Sequence, residues 1–156
     1  MPPALLFVAL GLALAFAPRR AWAPSLLALV ATLGAFTVLP VPHTCLEGIF
    51  LGCWISVIAT AAGVHLAHGL STWAAFTLSV NTGVWSSAVI SLSGSRLDLL
   101  TALPWVLIFL PATWVAARHG SIPIKVASSW VIAIAVLAAT LQLLPVTPGY
   151  LPDHME

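Results

Sequence analysis

The sequence predicts an all-α fold, a polytopic membrane helix bundle of about six transmembrane helices joined by short loops. The hydrophobic fraction is 61% and the charged fraction is 6%, against roughly 45–50% and about 25% in soluble domains. Nearly every window of about 20 residues outside the short connections is apolar enough to cross a hydrocarbon core of ~30 Å. We therefore predict a single transmembrane domain over residues 1–144 and a short polar C-terminal tail over residues 145–156.

The first two spans flank a basic turn. Residues 2–17 are apolar and are followed by Pro18, Arg19 and Arg20, and the second span is predicted at residues 21–39. A secretory signal peptide is the alternative for the first segment, because Ala-Trp-Ala at residues 21–23 resembles a small-x-small cleavage site. No basic residue precedes the apolar run, so we expect a retained helix.

Four further spans are predicted at residues 47–67, 72–92, 98–117 and 122–143. The third contains small residues that let neighbouring backbones approach closely. These residues are Gly48, Gly52, Ala59, Ala61, Ala62 and Gly63. The fifth contains Pro104 and Pro111, and we expect a kink at Pro111 because it removes a donor to the Leu107 carbonyl.

The fourth span carries a polar stripe at spacings of three and four, which places its members on one side of a helix. Its members are Thr77, Asn81, Val84, Ala88, Ser91 and Ser95. Lipid does not satisfy hydroxyls or amides, so we expect this stripe to be buried in the bundle or against another chain. Thr77, Asn81 and Ser91 are therefore candidates for a polar pathway or for helix contacts. Asn81 either bonds to another helix or lines a wet cavity.

Glu47 is the acidic residue that opens the third span, and it is the fourth candidate. A carboxylate at a helix N-terminus is stabilised by the helix dipole, which would make it a capping residue. The functional alternative is a proton or cation acceptor at the mouth of a polar pathway.

His65, His68 and His119 are the candidate metal or haem ligands. His65 and His68 are three residues apart, so on a helix both imidazoles would project to one side, and His119 is expected at the same membrane surface. The alternative is that they cap a helix and meet lipid headgroups. If these histidines are ligands, the cofactor is haem or a transition metal; if they cap a helix, no cofactor is predicted, and this second interpretation is the favoured one. Cys45 and Cys53 are expected at different depths, which predicts two free thiols.

Basic residues predict the orientation. Arg19, Arg20, Arg118 and Lys125 would lie on one side of a six-span protein and Arg96 on the other. The positive-inside rule then places the four in the cytoplasm and both termini outside, in a bacterial cytoplasmic (inner) membrane. Trp22, Trp73 and Trp114 would line the same surface as an aromatic belt.

Several function classes are excluded or disfavoured. A net charge of +1 gives no electrostatic basis for a nucleic-acid partner, and HExxH, GxSxG and Gly-rich phosphate motifs are missing, so we predict no enzyme. The favoured function is a non-enzymatic subunit of an inner-membrane complex for transport or energy transduction. Its expected partners are membrane lipids and either another membrane protein or a second copy. The alternatives are a small homo-oligomeric transporter or channel, and a haem- or metal-binding electron carrier using His65 and His68.

Overall fold

The computed structural model describes residues 2–36, 46–66, 69–93 and 102–144. Within them the chain is helical and contains no strand, which confirms the all-α class. The described ranges contain six α-helices: α1 (Pro2–Leu14), α2 (Arg19–Phe36), α3 (Leu46–Ala62), α4 (Thr72–Ser93), α5 (Phe109–His119) and α6 (Ile122–Leu143). They also contain two 3₁₀ helices, Gly63–His65, which extends α3, and Leu103–Ile108, which precedes α5. The predicted tail at residues 145–156 lies outside the described residues.

Three helical stretches are long and apolar enough to cross a membrane, namely Gly48–His65, Thr72–Leu92 and Ile122–Leu143. They support an integral membrane protein. The other helices fall short for different reasons: α1 has 13 residues, about 20 Å at a rise of about 1.5 Å per residue, α2 begins with two arginines, and α5 is short. A crossing by all six helices therefore stays a prediction.

Helix α1 occupies the centre of the bundle. Its sequence, PPALLFVALGLAL, has no polar side chain, as expected of a helix that lies either in a protein interior or in a membrane. It packs against α3, α4, α5, α6 and the 3₁₀ helix Leu103–Ile108. Seven of its residues are no more than 5% exposed: Leu6, Phe7, Ala9, Leu10, Leu12, Ala13 and Leu14. The first predicted span is thus the core of the structure.

The other helices form an arc around α1 in the order α2, α4, α3, α6, α5, each packed against the next. The α2–α4 contact is the most extensive. The start of α2 is fixed to the central helix by Trp22, whose Nε1–H donates to the Leu14 carbonyl at 3.1 Å. The Trp22 ring also meets Phe109 of α5 edge to face, with ring centroids 4.9 Å apart.

Three connections between helices lie at the same end of the bundle. The N–H of Leu70, just before α4, donates to the Phe16 carbonyl in the α1–α2 turn at 3.2 Å. Ser128, in the second turn of α6, donates to the carbonyl of Ala61 near the end of α3 at 2.7 Å. The α1–α2, α3–α4 and α5–α6 connections are therefore neighbours, although they are far apart in the sequence.

The predicted fifth span is divided in two. A 3₁₀ helix, Leu103–Ile108, carries Pro104 near its start, and α5 begins at Phe109. The helix thus changes character in the turn before Pro111, where that proline supplies no donor to the Leu107 carbonyl; the bend itself stays a prediction. The N–H of Phe109 donates to the carbonyls of Leu107 and Val106 at this junction.

Two glycines lie where the main chain or the Cβ of a neighbouring helix comes close. A Cβ at Gly83 of α4 would overlap the Thr32 hydroxyl of α2, and one at Gly11 of α1 would lie 2.8 Å from the Val106 carbonyl oxygen. No side chain fits at either position without moving a neighbouring helix. The α2–α4 contact and the seat of α1 on the 3₁₀ helix therefore both require glycine.

Candidate functional site

Helix α4 presents two polar sides, and the buried one is not the predicted stripe. Its buried side carries Ser79, Thr82, Ser86 and Ser87, each with 0% exposure. In the predicted stripe, Thr77 and Ser91 are exposed, and Val84 and Ala88 are half-buried. Ser95 lies outside the described residues. Within a single chain the bundle therefore covers the opposite side, and burial of the stripe against another chain stays a prediction.

Asn81 is the member of the stripe that contacts another helix. It is half-buried, and its Nδ2 donates to the Ser56 hydroxyl of α3. One turn along, the Trp85 ring of α4 covers Gly52 of α3. Asn81 therefore bonds across the α3–α4 contact, at a position where the small-residue side of α3 allows the approach.

Thr77 illustrates how an exposed hydroxyl is satisfied on this surface. Its Oγ1 donates to the Ala74 carbonyl at 3.0 Å, within α4 itself. Ser129 of α6 does the same with the Lys125 carbonyl at 2.9 Å. Such side chains do not leave a donor unpaired when lipid surrounds them.

Buried hydroxyls are satisfied unevenly. Ser79 donates to the Ala75 carbonyl at 2.9 Å, and Thr32 donates to the Ala28 carbonyl at 2.8 Å. Within the described ranges, five other buried polar atoms have no hydrogen-bond partner: Ser25 Oγ, Trp54 Nε1, Thr60 Oγ1, Thr82 Oγ1 and Ser86 Oγ. They belong to α2, α3 and α4, the helices that pack on one another beside α1. Buried polar groups of this kind are commonly satisfied by an ordered water or a ligand.

Sequence reasoning missed these groups, although their signal is present. Ser79, Thr82 and Ser86 recur at spacings of three and four, as the predicted stripe does. Spacing places residues on a common side of a helix but does not say which side faces the protein. Contact with α2 decides the question here, because Gly83 on the buried side is where α2 approaches most closely.

Basic residues collect at the end of the bundle where the three connections meet. Arg19 and Arg20 begin α2, Arg118 lies in the last turn of α5, and Lys125 lies in the first turn of α6. We call these four residues the basic end. The arginines are exposed and Lys125 is half-buried. Glu47, the one acidic residue within the described ranges, begins α3 at the opposite end.

Tryptophans accompany the basic end. Trp73, at the start of α4, is 78% exposed, and Trp114 of α5 is 56% exposed. The Arg118 guanidinium carbon lies 5.0 Å from the centroid of the Trp114 ring, a cation–π contact. Charged and aromatic side chains are thus combined on one surface.

The candidate ligands are not assembled into a metal centre in the part of the chain that the structure describes. His65 ends the 3₁₀ turn after α3 and is exposed, as is His119 at the end of α5. Helical geometry ends at His65, since Leu66 is extended, and His68 lies outside the described residues. No group of three or more His, Cys, Asp or Glu side chains there is placed to hold a metal ion.

The remaining candidates are placed as follows. Glu47 is the second residue of α3, and its side chain is not described. Cys53 is a free, fully buried thiol in α3, facing the interior, while Cys45 lies outside the described residues.

Comparison of the chain with protein-family models, with curated proteins and with solved structures finds no match. The function is therefore inferred from the chemistry of the described residues.

The Asn81–Ser56 contact yields a quantitative prediction. Replacing Asn81 by Leu removes an interhelical hydrogen bond inside the bundle, so unfolding in detergent should become easier by about 0.6–2 kcal/mol. The loss should be much smaller when Ser56 is already alanine, because the two side chains share one bond. Thr77→Val on the same helix is the matched control, since its hydroxyl bonds only within α4. Equal effects of Asn81→Leu in both backgrounds would contradict the contact.

Proposed function

We propose that this chain is a multi-span integral membrane protein that acts as a non-enzymatic subunit of an assembly in the membrane. The observation that carries the proposal is the filled, apolar centre of the bundle. A path for a polar solute along the middle of one chain would need polar lining, and α1 supplies none. What the chain presents for recognition is its outer surface and its short connections.

The outer surface is suited to contacts in the membrane plane. Helix α6 packs on its neighbours mainly through Ile124, Ser128, Val131, Ala135 and Ala139. Most of its other residues are exposed and apolar, including Trp130 at 70% and Leu137 at 62%. This apolar surface can contact either lipid or the apolar side of a partner helix. The half-buried small side of α4, with Ala88, offers close approach to a second helix, which favours a protein partner there.

The mass of the particle in native nanodiscs tests the subunit proposal. One chain has a mass of 16.3 kDa, and we expect a stable species larger than this, containing a second membrane protein or further copies. Ala88→Trp on α4 should reduce the larger species by crowding a close helix contact, whereas Ala133→Trp, on the exposed side of α6, is the matched control. A monodisperse single chain that transports a solute would defeat the subunit proposal.

A homo-oligomeric transporter or channel is the second candidate, and the five unpartnered buried polar atoms favour it. Ser25, Thr60, Thr82 and Ser86 would gain partners from water or from a polar solute. Because α1 closes the centre, such a path would run beside α1 between α2, α3 and α4, or between copies. Solute flux into liposomes, compared between the wild type and Thr82→Val, tests this candidate.

The third candidate, a haem- or metal-binding electron carrier using His65, His68 and His119, has the least support in the described residues. An absorbance spectrum of the purified protein tests it directly, since bound haem gives an intense Soret band. A colourless protein that contains no transition metal by elemental analysis would exclude it.

We also infer an orientation with the basic end in the cytoplasm of a bacterial inner membrane and both termini outside. Arg19, Arg20, Arg118 and Lys125 at one end of the bundle support it through the positive-inside rule. The topology needs α1, about 20 Å long, to complete a crossing of ~30 Å, which requires local thinning of the bilayer or adjustment by flanking residues.

Accessibility of single cysteines tests this orientation. Cysteines introduced at positions 20 and 156 of a cysteine-free variant should react with a membrane-impermeant maleimide from opposite sides of the membrane. Labelling of both positions from the same side would contradict the six-span topology.

A further inference from the structure

The basic end concentrates positive charge from sequence-distant parts of the chain. The chain has five Lys and Arg residues in all, and four of them belong to the basic end. The Leu70–Phe16 and Ser128–Ala61 hydrogen bonds hold the connections that carry them together. The concentration is therefore a property of the folded bundle.

These charges lack an internal counterion in the described ranges. Glu47, the one acidic residue there, begins α3 at the far end of that helix. The three arginines are exposed, with their guanidinium groups accessible to an external anion. The charge pattern of the surface is thus complementary to an anionic partner.

The apolar surroundings indicate which anion fits. Trp73 and Trp114 are exposed next to these charges, and Arg118 lies over the Trp114 ring. Ile122, at the start of α6, is 72% exposed. Indole rings and an exposed aliphatic side chain beside arginines match the boundary between headgroups and acyl chains. A soluble anion would leave this apolar surface facing water.

We propose that the basic end binds the headgroups of anionic phospholipids, with Arg19, Arg20, Arg118 and Lys125 contacting phosphate and Trp73 and Trp114 lying at the acyl boundary. Arginine binds phosphate oxygens through two parallel N–H donors. In phosphatidylcholine the choline cation balances the phosphate charge, so an anionic lipid attracts the arginines more strongly. The proposal goes beyond the subunit function, because lipid preference is a property of the isolated chain.

Native mass spectrometry of the purified full-length chain in detergent tests the proposal. Phosphatidylglycerol and phosphatidylcholine of the same acyl composition are titrated separately, and retention of each is measured. We expect tighter retention of phosphatidylglycerol, with the preference falling about fivefold for each basic charge removed. The Arg19→Gln/Arg20→Gln and Arg118→Gln/Lys125→Gln variants remove two charges each, and higher salt should weaken the preference in the wild type.

Arg96→Gln is the matched control, since it removes the one remaining Lys or Arg outside the basic end, and the lipid preference should survive it. Thermal stability supplies a second measurement: phosphatidylglycerol should raise the melting temperature of the wild type more than inorganic phosphate does. Equal retention of the two lipids by the wild type would overturn the proposal. Equal loss of preference in Arg96→Gln and in the basic-end variants would overturn the assignment to this surface.

Discussion

The central position of α1 is the constraint on which the rest of the structure depends. A helix with no polar side chain can face protein or lipid equally well, and burial of apolar surface gives little driving force between helices in a bilayer. Close packing supplies it instead. Gly11 brings the backbone of α1 against the 3₁₀ helix Leu103–Ile108, while α3 turns Cys53, Val57 and Ala61 into the interior, each 0% exposed. Because apolar side chains fill the centre, the polar side chains lie on the outer helices.

Those polar groups divide by location. On the outer surface, Thr77, Thr113, Ser129 and Thr140 each donate to a carbonyl three or four residues earlier in their own helix. Inside, α3 is bonded to both of its neighbours in the arc, to α4 through Asn81 and to α6 through Ser128. Each such bond contributes modestly, about 0.6 kcal/mol on average in membrane helices, so they set the helix order more than the total stability. The buried hydroxyls of α2, α3 and α4 that lack a partner among the described residues are the groups on which the proposed transport alternative rests.

The class and several helix bounds could be predicted from the sequence. The spans at residues 72–92 and 122–143 match α4 and α6 within one residue, because continuous apolar runs end at clear polar or proline boundaries. The centrality of α1 could not be predicted, since apolarity alone does not distinguish a lipid-facing helix from a core helix. The buried side of α4 was missed because two polar stripes share the same spacing, and only the approach of α2 at Gly83 selects one. The sequence predicted that Asn81 either bonds to another helix or lines a cavity. It could not identify Ser56 as the partner, because that depends on how α3 packs against α4.

The stability cost of truncating a leucine in α1 tests the central claim most directly. Leu10 is 0% exposed and Leu137, on the outer side of α6, is 62% exposed, so Leu→Ala changes the same atoms in two different surroundings. Leu10→Ala should lower the free energy of unfolding by about 2 kcal/mol or more through the cavity that it leaves. Leu137→Ala should change it by less than about 0.5 kcal/mol. Equal losses at the two positions, or a larger loss at Leu137, would contradict a bundle built around α1.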